Sequence, residues 1–239
     1  MGLSRVDGCA LTPISEDARE HKHEVLRQHY RQAVAGLGDE EFDQSVLMEL
    51  PKLGEVTPVY SDVIANVALE FEDDLCVIDT HRGARLILGC VCSPSYWKLT
   101  EKVGASLEVV HAPVHGLQEK LGERITHFVQ QLPAEVSFCR SNWFLHGSDA
   151  LYQPIAEARL DIPVVDWVMR CEFQTFYRLN ARYVLFSIRV LCEPLKHIHE
   201  VMGAKDSLLA ALGFMDKAEI AHFGGEAKYK KLLDYLTKN

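Results

Sequence analysis

The sequence predicts an α+β fold: an antiparallel sheet of about five strands with helices packed at both ends of the chain. Three observations predict it. Short apolar runs meet in pairs across turn residues, as β-hairpins do. Helical spacing of apolar residues is confined to the first third, one central stretch and the C-terminal end. No internal repeat or low-complexity linker divides the chain, so residues 1–239 are expected to form one domain.

The elements follow in order. Ser15-Glu16-Asp17 is a helix-start signal, and Val25, Leu26 and Val34 sit among charged and His-rich positions. A surface helix is expected from about Ser15 to Ala35, ended by Gly36 and Gly38. Shorter helices are expected near Asp43–Leu50, closed by Pro51, and near Val59–Phe71, so that 12–71 forms a helical N-terminal extension. Asp74–Asp79 and Arg85–Cys92 are rich in β-formers and flank His81-Arg82-Gly83-Ala84, which reads as a hairpin turn. Between Gly116 and Leu132, Leu117, Leu121, Ile125, Phe128, Val129 and Leu132 describe one helical face, and Pro133 closes the helix. Phe138–Leu145 reads as an aromatic-rich strand. Trp167–Tyr177 and Arg182–Leu191 read as a second hairpin around Leu179-Asn180-Ala181, with Val184, Phe186, Ile188 and Val190 on a core-facing side. Helices resume after Pro194 and make a C-terminal extension from about 195 to 239.

Composition narrows the function classes. The chain is 48% hydrophobic and 25% charged, which suits a folded core, and its formal net charge of −9 argues against a nucleic-acid binder. No apolar stretch approaches the ~18 residues of a membrane span. Met1-Gly2-Leu3-Ser4-Arg5 leads into polar sequence, so a cytoplasmic location is expected. Seven scattered cysteines do not form a disulfide framework. Dinucleotide, P-loop and nucleophile-elbow motifs are all missing, so any electrons must come from a partner.

Several clusters are chemically suggestive. His111 and His115 are four apart, but Pro113 breaks the helix that such a zinc pair needs, and the metalloprotease Glu is lacking. A single His111 on a loop suits axial ligation of a larger cofactor, where one protein bond suffices. His21/His23 and His197/His199 stand two apart and read as solvent-exposed decoration. Cys90 and Cys92 read as small core residues. Arg140-Ser141-Asn142-Trp143 joins a cation, an amide and a large aromatic, in either a structural or a binding role. Arg170, Glu172 and Gln174 share one strand face, which suits a satisfied core network or a site for a cationic ligand equally.

The ordered set Asp74-Leu75-Cys76, Gly89-Cys90-Val91-Cys92-Ser93-Pro94-Ser95-Tyr96-Trp97, Glu101-Lys102-Val103-Gly104, Val110-His111-Ala112-Pro113-Val114, Arg140-Ser141-Asn142-Trp143, Glu172-Phe173-Gln174-Thr175-Phe176-Tyr177-Arg178-Leu179 and Phe186-Ser187-Ile188-Arg189 resembles the haem-binding alpha subunit of the haem-dependent oxidative N-demethylases. The resemblance spans about residues 15–200. It implies a PAS-like domain holding haem b and acting as a monooxygenase. The substrate would be a small secondary amine such as dimethylamine, consumed with O2 to give the demethylated amine and formaldehyde. Electrons would come from NADPH through FMN and a [2Fe–2S] cluster on reductase subunits, and a tetrahydrofolate-binding subunit would take up formaldehyde. On this basis His111 is the expected iron ligand, with His115 as the alternative. Lys102, Arg140 and Arg170 are the expected propionate partners, and Glu172 and Trp143, with Trp97, are the expected substrate-facing residues. Two positions depart from the family pattern. His115 stands where proline is expected, and Phe173 stands where arginine is expected, which would remove a propionate or oxygen contact. A non-catalytic haem or small-ligand sensor is the alternative function.

Overall fold

Five strands form near their expected positions, two of them (74–79 and 85–90) buried along almost their whole length, and two short edge strands join them. In chain order the strands are β1 (Ser4–Asp7), β2 (Val34–Gly36), β3 (Asp74–Asp79), β4 (Arg85–Cys90), β5 (Val136–His146), β6 (Val168–Arg178) and β7 (Tyr183–Pro194). They form one antiparallel sheet in the order β1-β5-β6-β7-β3-β4-β2. The expected count of about five rises to seven because β1 and β2 are only four and three residues long, below the length at which alternation is legible. This computed structural model describes residues 2–38, 43–111, 117–156 and 162–238; the side chains of Arg82 and of residues 111–123 lie outside that description.

The helices are α1 (Glu16–Ala33), α2 (Val46–Glu49), α3 (Val63–Ala68), α4 (Leu107–His111), α5 (Leu117–Gln130), α6 (Ala204–Gly213), α7 (Lys217–Phe223) and α8 (Glu226–Lys238). Ser15 caps α1 as expected, its hydroxyl accepting from Ala18 N–H. The chain then enters β2 directly, so strand pairing with β4 ends the helix before Gly36 is reached. The long C-terminal helix expected from Lys217 is divided by Gly224 and Gly225, both at positive φ.

Each face of the sheet buries a different part of the chain. On the outer face Leu75, Val77, Tyr183 and Leu185 pack under Val25, Leu26, Ile64 and Val67 from α1 and α3. The same face further along packs Leu145 and Met169 against Leu208, Leu212, Leu232 and Leu236 of the C-terminal helices. On the inner face Ile78, Phe176, Val184 and Phe138 lie under Leu107, Phe128, Val129 and Leu132. Gly89 lets a connection settle on this face: a Cβ there would stand 2.8 Å from Leu99 Cδ1.

A buried polar clamp ties α1 to the sheet. Lys22, 2% exposed, donates to the carbonyls of Ala68 (2.9 Å) and Asp73 (2.6 Å). The buried Asp74 carboxylate accepts from Cys92 N (2.8 Å) and Ser93 N (2.7 Å). His21 Nε2 meets Cys92 O at 3.0 Å and Ser93 Oγ at 3.2 Å, so His21 is a structural link and not the solvent-exposed decoration its spacing suggested. Among the described residues no helix is long and apolar enough to cross a membrane.

Burial holds the His21 imidazole below its ordinary value. The unfolded chain therefore binds that proton more readily, and stability is lost as pH falls through the ordinary imidazole pKa of about 6.5. Asp73 and Asp74 are pushed up by burial and act in the opposite sense, but equally in a variant that keeps them. Urea unfolding between about pH 7.5 and 5.5 should show the wild-type chain losing more stability than His21→Gln. Parallel curves would show that His21 does not titrate on unfolding.

Candidate functional site

The inner face of β5 and β6 carries a line of polar side chains that register alone brings together. Arg140 pairs with Gln174, Asn142 with Glu172, and Phe144 with Arg170. Directly opposed residues on neighbouring strands project from the same face, so these side chains are contacts. Arg170 and Glu172 are 0% and 6% exposed, and burial at that level requires internal partners.

Those partners form one connected chain. Arg140 Nε donates to Gln174 Oε1 (2.7 Å), and Gln174 Nε2 donates to Glu172 Oε2 (2.9 Å). Ser95 Oγ donates to Glu172 Oε1 (2.6 Å) while accepting from Arg170 Nε (2.8 Å). The Arg170 guanidinium also donates to the carbonyls of Ala150 (3.1 Å), Ser93 (2.8 Å) and Leu151 (2.8 Å), with a longer contact to Pro94 (3.3 Å). It thus gathers two straps, 93–97 and 147–153, onto the end of the sheet. The straps also bind each other: Tyr96 N donates to Gln153 O (2.7 Å) and Gln153 N to Pro94 O (3.2 Å). Tyr96 adopts φ +64, a conformation that costs a non-glycine residue about 1–3 kcal/mol unless its surroundings impose it. Its ring stacks on His146 at 4.1 Å, and His146 Nδ1 hydrogen-bonds Gln153 Oε1 at 2.7 Å.

Two groups of this patch have hydrogen-bonding capacity to spare. Burial pulls the Arg140 guanidinium below its ordinary value, opposed by the charge on Glu172, and among the described residues its terminal Nη groups meet no acceptor. Asn142 Oδ1 is a buried acceptor that receives no hydrogen bond from the described residues. Beside the patch, a cavity of about 810 Å³ opens between α5 and β5, lined by Arg124, His127, Phe128, Gln131, Leu132, Pro133 and Phe138. Phe138 stands two residues from Arg140 on the same strand face, so the cavity and the polar line adjoin.

The remaining expected site residues are distributed as follows. Lys102 Nζ donates to Val110 O (3.2 Å), the residue before His111, which ends α4. The His111 side chain and all of His115 lie outside the described residues. Trp97 packs on the inner face with Leu86, Val91 and Leu99. Trp143 is not brought to the polar line: strand alternation turns it to the outer face, where its ring meets Phe223 edge-on at 6.1 Å. Arg170 donates to Ser95 and to backbone carbonyls, a structural position. Phe173 is likewise on the outer face, 38% exposed and covered by Arg189 at 5.0 Å. The arginine expected at this position would therefore project from the outer face, away from the polar line. Sequence reading gave no role to Ser95, Tyr96 or Gln153; the signal was the run Ser93-Pro94-Ser95-Tyr96, a turn whose partners are remote in sequence.

Residues 18–236 match the family described as haem-dependent oxidative N-demethylase, alpha subunit-like. The chain belongs to that family. No curated protein matches it. The family description carries haem dependence and, in the words alpha subunit, an enzyme of more than one subunit. The residues present fit such a group. An amphipathic macrocycle with anionic side arms calls for apolar walls, cations and an imidazole. The inner face supplies Phe128 and Phe138, the under-neutralised Arg140 with Arg124, and His127 in the cavity wall. Among the described residues no group of three or more His, Cys, Asp or Glu side chains gathers to hold a bare metal ion.

Replacing Arg170 with Met keeps the bulk and strands the carbonyls that the guanidinium gathers. Loss of a buried charged donor of this kind costs about 3–5 kcal/mol. Urea unfolding should register that loss, and limited proteolysis should cut 93–97 or 147–153 faster. A change within about 0.5 kcal/mol, the range of neutral surface substitutions, would contradict the clamp role.

Proposed function

We propose that this chain is the haem b-binding subunit of an oxidative N-demethylase acting on a small secondary amine such as dimethylamine. The observation that carries the reading is the chain Arg140–Gln174–Glu172–Ser95–Arg170 on one face of the sheet, inside the segment that matches the family. It offers a carboxylate fixed by two donors and, at its far end, a half-buried cation with donors to spare. A secondary amine is a cation near neutral pH, and Glu172 is its complement. Arg140 takes a haem propionate, which supplies the negative charge its burial lacks. Lys102 steadies the end of α4, and His111 would be the residue that ligates the iron.

Bound haem supplies oxygen activation and the oxidation of an N-methyl group. The protein residues bind and orient the amine, keep its methyl carbon away from water, and accept its N–H at Glu172. The overall conversion consumes the secondary amine, O2, two electrons and two protons, and yields the primary amine, formaldehyde and water. The electrons come from a reductase partner that uses NADPH through FMN and a [2Fe–2S] cluster, and a tetrahydrofolate-binding subunit takes the formaldehyde. The PAS-like fold belongs to the same reading, supported by an antiparallel sheet whose inner face is crossed by α4 and α5. A second ligand assignment has its own support: His127 lines the cavity beside Phe138, whereas His111 rests on the motif alone.

His111→Ala, His127→Ala and Glu172→Gln, each expressed with haem precursor, test these roles. His111→Ala should lose stoichiometric haem while His127→Ala retains about one haem per chain. The reverse pattern moves the ligand to His127. Glu172→Gln should keep the wild-type Soret band and bind dimethylammonium at least about tenfold more weakly, the loss of one charge-assisted hydrogen bond. Unchanged amine affinity would remove Glu172 from the site.

A further inference from the structure

Asn142 Oδ1 is the one buried side-chain N or O atom among the described residues that lacks a hydrogen-bond partner. It is buried and receives no hydrogen bond from the described residues, while its cross-strand neighbour Glu172 accepts from Ser95 and Gln174. An acceptor sealed from water without a donor is destabilising, and a bound donor group would relieve that cost. The position is specific. Asn142 lies between Arg140 and Phe144 on the inner face of β5, directly opposite the one carboxylate of the polar line. Two acceptors of different kind therefore stand on neighbouring strands: a charged one whose oxygens each keep a free lone pair, and a neutral one that has no donor among the described residues.

We infer that Asn142 Oδ1 is the second acceptor of the amine site and selects ammonium ions that carry at least two N–H bonds. The inference rests on the amine-binding role of Glu172 and adds the reason for discrimination. A dialkylammonium ion donates one N–H to Glu172 and the other to Asn142, leaving neither acceptor empty. A trialkylammonium ion has a single N–H; bound at Glu172, it leaves Asn142 unpaired and sets a methyl group against its oxygen. A site built to accept a hydrogen bond rejects the analogue that lacks the donor, because its own buried group is then stranded. Primary ammonium ions satisfy both acceptors, so selectivity falls between secondary and tertiary amines.

The test is calorimetric binding of dimethylammonium and trimethylammonium chlorides to the haem-loaded protein and to Asn142→Leu and Asn142→Asp. Wild type should prefer dimethylammonium by about tenfold, the worth of one buried hydrogen bond. Asn142→Leu, similar in volume, should lose about tenfold in dimethylammonium affinity and with it the preference. Asn142→Asp keeps an acceptor at the same place and should keep the preference, which also covers the case in which the leucine variant fails to fold. A preference that survives in Asn142→Leu is steric and overturns the inference, as does equal affinity of wild type for both ions. If wild type binds neither ion, the amine-binding reading falls together with it, whereas the other failures leave that reading standing.

Discussion

A guanidinium sealed from water must find every acceptor inside the protein, and it organises whatever it finds. Arg170 is fully buried near one end of β6 and is met by Ser95 and by carbonyls from two separate straps. Those straps pack Trp97 and Tyr152 against the core. Their position is fixed from both sides: by Arg170 at the sheet, and at Cys92-Ser93 by Asp74 and His21. The strained backbone at Tyr96 is affordable only because both its neighbours in sequence and its stacking partner His146 are already held.

The same bond that anchors the strap orients the chemistry. With Arg170 Nε occupying one lone pair of Ser95 Oγ, the hydroxyl proton points at Glu172 Oε1. Gln174 is aligned equally strictly: Arg140 takes its carbonyl end, so its amide N–H faces Glu172. Glu172 is thus an acceptor toward anything that approaches from the inner face, and Arg140 is a donor with capacity left over. Opposite charges are kept apart by one amide and do not collapse into an ion pair, a separation that suits binding two ligand groups of opposite sign. The cavity beside Phe138 gives room for the larger of them.

The long strands were legible because their apolar alternation is strong, as in Val184, Phe186, Ile188 and Val190, and because Asn180 marks the β6–β7 turn, its side chain accepting from Arg182 N and Tyr183 N. The two edge strands were not, since three or four residues carry no period. The grouping of Arg170, Glu172 and Gln174 followed from alternation alone, whereas the choice between core network and binding site needed β5 alongside. Register separated Trp143 from Asn142, which sequence motif had grouped together. Ser95 lies 75 residues from Arg170 and 77 from Glu172, and its role is invisible without the fold. His21 misled for the same reason: its partners, Cys92 and Ser93, are more than 70 residues away.

The central claim is that this face holds haem and receives a small amine beside it. The most direct measurement is an absorption spectrum of the wild-type chain expressed with haem precursor, with haemochrome stoichiometry and a dimethylammonium titration. The account predicts a Soret band at about one haem per chain that shifts as the amine is added. A colourless protein that also fails to take up haem in vitro would contradict it.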